Sequence, residues 1–170
     1  KDLKAFLGVV PKGKSGTDWA KINETVKDVK VRSVPTYHDD EAGAKRGKNS
    51  IFIVEADGLK FVHLGDLGQE LTEDQVKAIG PVDVLMIPVG GIYTINGEQA
   101  QAVMRQLKPR LYVFPMHYGV KDFDDLAGPD EFLDGLKNVK KMTDTNEITF
   151  PIDEKPEAPT LRACQRRDAR

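Results

Sequence analysis

Several features that would identify particular classes of protein are missing from this chain of 170 residues. Cys164 is the single cysteine, which excludes an internal disulfide and a zinc cluster built from several thiolates. No apolar run approaches the roughly 20 residues that cross a bilayer. The net charge of −2 also lacks the basic excess that nucleic acids and anionic membranes attract. We therefore expect a cytoplasmic protein with neither nucleic acid nor membrane as a partner.

The composition is that of an ordinary globular domain. Hydrophobic residues make up 39% and charged residues 31% of the chain. Residues 1–153 are predicted to form one domain, whereas residues 154–170 are rich in proline and charge and are predicted to be disordered. Because the chain begins at Lys1 without an initiator methionine or a leader pattern, we expect its true N-terminus to have been removed, processed or left out.

Periodicity and turn signals predict a layered α/β domain with mixed strand pairing. Residues 1–28 are predicted to be a loosely structured lead-in, and residues 39–48 a surface loop. An Asp57-Gly58 turn predicts a hairpin, and capping residues Thr72 and Asn96 predict two helix starts. The predicted strands are 29–34, 51–55, 59–64, 82–87, 110–114 and 148–150, and the predicted helices are 72–79, a segment after residue 96, and 129–136.

Three potential metal ligands follow predicted strands, at the points where strands give way to loops. They are His38, Asp66 and His117, and the chain has only three histidines in total. Two imidazoles and a carboxylate suit Zn²⁺, Mn²⁺ or Fe²⁺ and leave positions open for water. We therefore predict that the three share a metal centre in which Asp66 and His117 are also catalytic.

Less specific interpretations stay open for each of these residues. A carboxylate between Gly65 and Gly68 is also typical of a turn that binds its own backbone. A lone histidine in a loop is more often a hydrogen-bonded or surface residue than a ligand. His63, which lies within a strand, is interpreted as structural, with support of a neighbouring metal ligand as the alternative.

A glycine-rich loop adds candidate substrate contacts. Gly90 and Gly91 follow a predicted strand and can present backbone N–H groups to a substrate oxyanion, although paired glycines also occur in plain tight turns. Tyr118, next to His117, is a third candidate for substrate binding.

The same segments resemble metallo-β-lactamase-fold hydrolases, in the branch of ascorbate-6-phosphate-lactonase-like proteins. The resemblance covers about half of the chain and rests on VPTYHD, GKNSIFIVEADGLKFVHLGDLG, IGPVDVLMIPVGGIYTI and LKPRLYVFPMHYG. It implies an αββα sandwich with two metal ions at its rim. His38 then resembles the histidine that completes the first metal site, Asp66 the carboxylate that bridges both ions, and His117 the histidine of the second site.

The resemblance also implies a missing part. The family's His-x-His-x-Asp-His motif would precede His38, where this chain has no histidine. We therefore expect an N-terminally truncated sandwich that binds one or two ions of zinc, manganese or iron, with the two-ion site and the activity impaired by the loss of this motif. We also expect a homo-oligomer or a partner to cover the sheet edge left open.

These observations favour a metal-dependent hydrolase that attacks a small ester, lactone or phosphoester with a metal-activated water. The alternative is a non-catalytic binding or assembly module that retains the fold. A nuclease of the same superfamily is disfavoured because the net charge is close to zero.

Overall fold

A computed structural model describes residues 19, 21–120, 125–142, 147–150 and 159–164. In chain order the strands are β1 (Asn23–Val26), β2 (Val29–Tyr37), β3 (Lys48–Ala56), β4 (Leu59–His63), β5 (Val84–Pro88), β6 (Tyr112–Met116), β7 (Val139–Met142) and β8 (Thr160–Cys164). The helices are α1 (Glu73–Ile79), α2 (Gly97–Leu107) and α3 (Asp130–Leu133).

The strands of the described residues form one mixed sheet in the order β1-β2-β3-β4-β5-β6-β8-β7. Pairing is antiparallel from β1 to β4 and parallel from β4 onwards. Two successive antiparallel pairings make β2 run in the same direction as β4, and hence as β5 and β6. The C-terminal ends of these four strands therefore meet at one end of the sheet, where loops can build a shared site.

All three helices pack on one face of this sheet. Alternate strand residues such as Val62, Leu85 and Val113 are fully buried against the apolar side of α2, which includes Ala100 and Val103. This arrangement is the layered α/β architecture with mixed pairing that the sequence predicts.

The opposite face of the sheet carries an aromatic cluster. Phe150 packs edge-on against Phe61 and Tyr112, each with its ring centroid 5.4 Å away, and against Phe114 at 6.5 Å. The strand predicted for residues 148–150 is wrong, because these residues make no ladder and Phe150 is held by ring contacts.

The predicted helix starts are confirmed. Thr72 and Asn96 each form a complete capping box with the glutamine three residues later. The Asp57-Gly58 hairpin between β3 and β4 is confirmed too. The third helix covers only residues 130–133 of its predicted span. The longest helix of the described part has 11 residues, and none there is long and apolar enough to cross a membrane.

Strand β1 departs from the prediction of a loosely structured lead-in. Residues 23–26 pair antiparallel with β2, so that prediction is wrong for them. All four residues of β1 are exposed, and a strand that buries no side chain leaves no apolar alternation in the sequence. Residues 1–18 and 20 lie outside the described residues.

Strand β8 corrects the prediction of a disordered tail. Residues 160–164 lie between β6 and β7 and pair in parallel with both, so disorder is wrong for this segment. Leu161, which is 3% exposed, joins the helix-side core. One core residue within a proline- and charge-rich stretch is too weak a pattern to predict a strand. Residues 154–158 and 165–170 lie outside the described residues.

A single amide side chain joins the ends of three neighbouring strands. Asn49, at the start of β3, donates from Nδ2 to Thr36 Oγ1 on β2 at 2.8 Å and to the Leu64 carbonyl after β4 at 2.9 Å. Its Oδ1 accepts the backbone N–H of Asp66 at 3.1 Å. Thr36 is fully buried, so these polar groups depend on the amide for partners.

We predict that Asn49→Ala lowers the free energy of unfolding by about 1–3 kcal/mol, because buried polar groups lose their partner. Chemical denaturation followed by circular dichroism measures the change. The matched control is Asn23→Ala on the exposed β1, for which we expect a change within about 0.5 kcal/mol. Equal effects of the two substitutions would contradict the role given to Asn49.

Candidate metal centre

Two of the three predicted ligands lie side by side. Asp66 follows β4 and His117 follows β6, and Nε2 of His117 is 3.8 Å from Oδ1 of Asp66. The Asp66 side chain is 54% exposed and that of His117 is 31% exposed, so both can be reached from solvent. A carboxylate oxygen and an imidazole nitrogen at this separation are donors of the type that Zn²⁺ or Mn²⁺ binds.

The turn that carries Asp66 is held by two side chains. Gly65 adopts a φ of 61° and donates its N–H to Nδ1 of His63 at 3.0 Å. The next N–H, that of Asp66, is bound by Asn49. An added Cβ at Gly65 would collide with Oδ1 of Asn49, so the sequence needs glycine here for both its conformation and its size.

His63 stabilises this turn by accepting a hydrogen bond from it. Because its Nδ1 accepts a hydrogen bond, the ring proton lies on Nε2. Burial lowers the pKa of His63, and the nearby negative charge of Asp66 raises it only in part. The ring is therefore neutral at neutral pH, which fits the interpretation of His63 as a structural residue.

His117 has a strained backbone. Its φ of 52° is uncommon for a residue other than glycine and is a feature that clusters at functional sites. Gly90 lies directly against its carbonyl oxygen, where any Cβ would collide. Nδ1 of His117 is buried and has no hydrogen-bond partner among the described residues.

His38 is placed by backbone contacts. Its N–H donates to the Gly47 carbonyl at 3.1 Å, and Gly68 packs so closely on its backbone that a side chain there would collide. Nε2 of His38 is buried and lacks a hydrogen-bond partner in the part of the chain that the structure describes.

Asp39 orders the loop that follows His38. Its carboxylate, 3% exposed, accepts four backbone N–H groups at 2.6–3.0 Å, from Glu41, Gly43, Lys45 and Arg46. Burial raises the pKa of this carboxyl, but the four donors outweigh it and lower the pKa to about 2. The surface loop predicted for residues 39–48 is thus a fixed structure.

The two imidazoles and the carboxylate fit a metal in their donor chemistry. Each histidine has a buried nitrogen without a partner, which is the group that a metal ion would satisfy. Within the described ranges, however, no three side chains of His, Cys, Asp or Glu lie close enough together to hold one ion. Asp66 pairs with His117, and the joint metal role of His38, Asp66 and His117 stays a prediction.

The predicted substrate contacts lie beside this pair. The N–H of Gly91 donates to the Ile95 carbonyl at 3.2 Å, so it is already used within the loop. Tyr118 is half-buried against the helix-side core. Binding of substrate by Gly90, Gly91 and Tyr118 stays a prediction.

Asn49 and Asp39 were not identified as site residues by the sequence. Asn49 binds groups of the neighbouring strands that sheet pairing brings near, and no spacing or periodicity signals such a role. Asp39 accepts backbone N–H groups from its own loop, which is typical of an aspartate at the start of a polar loop.

Sequence comparison relates the chain to hydrolases that depend on metals. The family profile described as "Beta-lactamase superfamily domain" matches residues 3–117, which is more than half of the chain. A UPF0173 metal-dependent hydrolase of Thermococcus onnurineus is 34% identical over 109 residues, which cover 63% of this chain and 48% of the relative. The chain therefore spans about half the length of the relatives that it matches in sequence.

Solved structures give the same fold. A Thermotoga maritima protein, proposed to be a Zn-dependent hydrolase of the metallo-β-lactamase superfamily, superposes with a TM-score of 0.71 at 36% identity. That match covers 85% of this chain and 69% of the other. A metallo hydrolase of Ignicoccus hospitalis gives a TM-score of 0.50 at 26% identity, covering 76% and 56% of the two chains.

The mixed sheet with helices on one face and the matched profile agree with one another. The described residues contain one sheet and one helical layer of the expected αββα sandwich. The chain belongs to the beta-lactamase superfamily domain family and has the metallo-β-lactamase fold of metal-dependent hydrolases.

Proposed function

We propose that this chain is part of a hydrolase that cleaves a small ester, lactone or phosphoester with a metal-activated water. The observation that carries the proposal is the pair formed by Asp66 and His117, whose side chains lie 3.8 Å apart at the end of the sheet. The family relationship supports the dependence on metal, since the relatives that the chain matches are metal-dependent hydrolases.

The residues around this pair hold it in place before any ligand arrives. Asn49 and His63 fix the turn of Asp66, and Gly90 fixes the backbone of His117. A site held in this way loses little entropy when it binds an ion and a substrate.

Zinc is the proposed ion, with manganese or iron as alternatives, and it would supply Lewis acidity and a water of lowered pKa. Asp66 and His117 would hold an ion between them, and Nε2 of His38 would serve a neighbouring position. The exposed side of Asp66 leaves room for the attacking water and a small-molecule substrate.

A non-catalytic binding or assembly module is the second candidate. It is favoured by one observation, namely that the described residues contain no cluster of three metal-binding side chains. In this case the folded domain would bind a partner through its surface and would not catalyse a reaction.

An oligomer or a partner chain is proposed at the open edge of the sheet. In the described part of the chain, β1 forms one edge of the sheet, with all four of its residues exposed. An edge strand with unpaired backbone groups is a template for another strand.

We predict that the purified protein binds close to one equivalent of Zn²⁺ or Mn²⁺, measured by elemental mass spectrometry and isothermal titration calorimetry. His117→Ala and Asp66→Asn should each weaken binding at least tenfold, because the first removes a nitrogen donor and the second replaces the charged carboxylate with a neutral amide. The matched control is Asp40→Asn, an exposed carboxylate in the loop after β2, which should bind as the wild type does. A folded protein that binds no metal would favour the non-catalytic module.

We predict that the metal-loaded protein hydrolyses p-nitrophenyl acetate or bis(p-nitrophenyl) phosphate, and that a chelator abolishes the activity. Asp66→Asn should lower kcat/KM at least 100-fold, since it removes an ion-holding group from the reacting centre. Activity that survives both chelation and this substitution would contradict the proposed function.

We predict an apparent mass above that of a monomer in size-exclusion chromatography with light scattering. Thr25→Pro, in the middle of β1, removes a backbone donor from this edge strand and should shift the population towards the monomer. A strict monomer at all concentrations would count against a second copy at the sheet edge.

A further inference from the structure

The loop of residues 90–95, here called the rim loop, spans the Asp66–His117 pair. At its start, Gly90 lies against the carbonyl oxygen of His117. At its end, the N–H of Ile95 donates to the carbonyl of Leu67, the residue after Asp66, at 2.9 Å. The rim loop therefore connects the backbone next to one member of the pair with the backbone next to the other.

Two large apolar side chains project from the middle of the rim loop. Ile92 is 59% exposed and Tyr93 is 45% exposed. Within the described residues, Val26 on β1 is the other large hydrophobic side chain with such exposure. Two of the three large exposed hydrophobic side chains in the described part of the chain thus lie on the loop whose ends contact the candidate metal centre, where a ligand would cover them.

The backbone of Ile92 is strained. Its φ of 53° is a genuine outlier for a β-branched residue, whose Cβ crowds the backbone in the left-handed region. Asparagine or glycine would adopt this conformation at less cost. Folding alone gives no reason for isoleucine here, because the backbone is strained and the side chain is exposed.

Arg46 holds the rim loop in this conformation. Its Nη2 donates to the Ile92 carbonyl at 2.8 Å, and its guanidinium lies 5.6 Å from the centre of the Tyr93 ring. Arg46 belongs to the loop that Asp39 orders. The ring hydroxyl of Tyr93 also donates to Asp125 at 3.4 Å. The two apolar side chains are therefore presented from a fixed backbone.

We propose that Ile92 and Tyr93 bind the apolar or aromatic group of the substrate and so determine specificity for an apolar ester or lactone. This inference rests on the proposed function, because the ends of the rim loop contact the backbone beside Asp66 and His117, which would hold the ion. An apolar group of the substrate that covers the two side chains would remove apolar surface from water, which is favourable in free energy. Such binding also gives a reason for an isoleucine with a strained backbone at a position where asparagine or glycine would adopt the same conformation at less cost.

The test uses two neutral probes, acetamide and phenylacetamide, that differ in their apolar group. Dissociation constants are measured from backbone amide NMR shifts of the whole chain. Full burial of one methylene improves affinity about fourfold, and we expect phenylacetamide to bind at least fivefold more tightly than acetamide. The shifts should be concentrated in the rim loop.

Ile92→Asn separates specificity from folding. Asparagine tolerates the left-handed conformation, so the melting temperature should stay the same or rise. Affinity for phenylacetamide should fall at least threefold, with affinity for acetamide unchanged. Val26→Asn is the matched control, because it replaces another exposed apolar residue, at the sheet edge, and should leave both affinities unchanged. Equal affinity of Ile92→Asn and wild type for phenylacetamide would overturn the inference.

A parallel assay separates this inference from the proposed function. The metal-loaded wild type and Ile92→Asn are compared on p-nitrophenyl acetate and p-nitrophenyl phenylacetate. Hydrolysis of both esters without preference, in both proteins, would overturn the specificity role and leave the hydrolase standing. An absence of hydrolysis, together with retained phenylacetamide preference in the wild type, would overturn the hydrolase and leave an apolar binding surface.

Discussion

Close backbone contact between the strand-end loops is the constraint on which the candidate site depends. Gly68 lies against the backbone of His38, and Gly90 lies against that of His117. A side chain at either glycine would push the loops apart by more than the packed sheet beneath them can absorb. Asn49 adds directional hydrogen bonds, because its amide group binds both the end of β2 and the residue after β4 and so fixes these two strand ends relative to each other. The site is positioned by backbone packing more than by contacts among its own ligands.

This constraint explains where strain is stored in the molecule. His117 and Ile92 both have positive φ values, and both lie on loops held by neighbours at the same end of the sheet. The helix-side core is continuous from β2 to β8. Its packing stabilises the strand ends and so offsets the free-energy cost of the backbone strain. The opposite face is less fully buried, and its aromatic cluster includes Phe150 from a segment without regular structure.

Much of the framework was predictable, because its signals are local. The capping boxes at Thr72 and Asn96 and the Asp57-Gly58 hairpin each depend on residues close in sequence. The proximity of Asp66 and His117 could be predicted, because each follows a strand whose end lies at the same end of the sheet. The sequence did not predict that, among the described residues, His38 forms no cluster of three with them. Strand β8 was missed because a single buried leucine supports it, and Asn49 was missed because its partners come from distant strands.

The central claim is that His38 and His117 present imidazole nitrogens to metal while His63 does not. Long-range ¹H–¹⁵N NMR of the three imidazoles during Zn²⁺ titration tests it directly. The account predicts that Nε2 of His38 and a ring nitrogen of His117 shift on metal addition, whereas His63 keeps its proton on Nε2 and its acceptor role at Nδ1. Unchanged spectra for His38 and His117, or a shift confined to His63, would contradict the account.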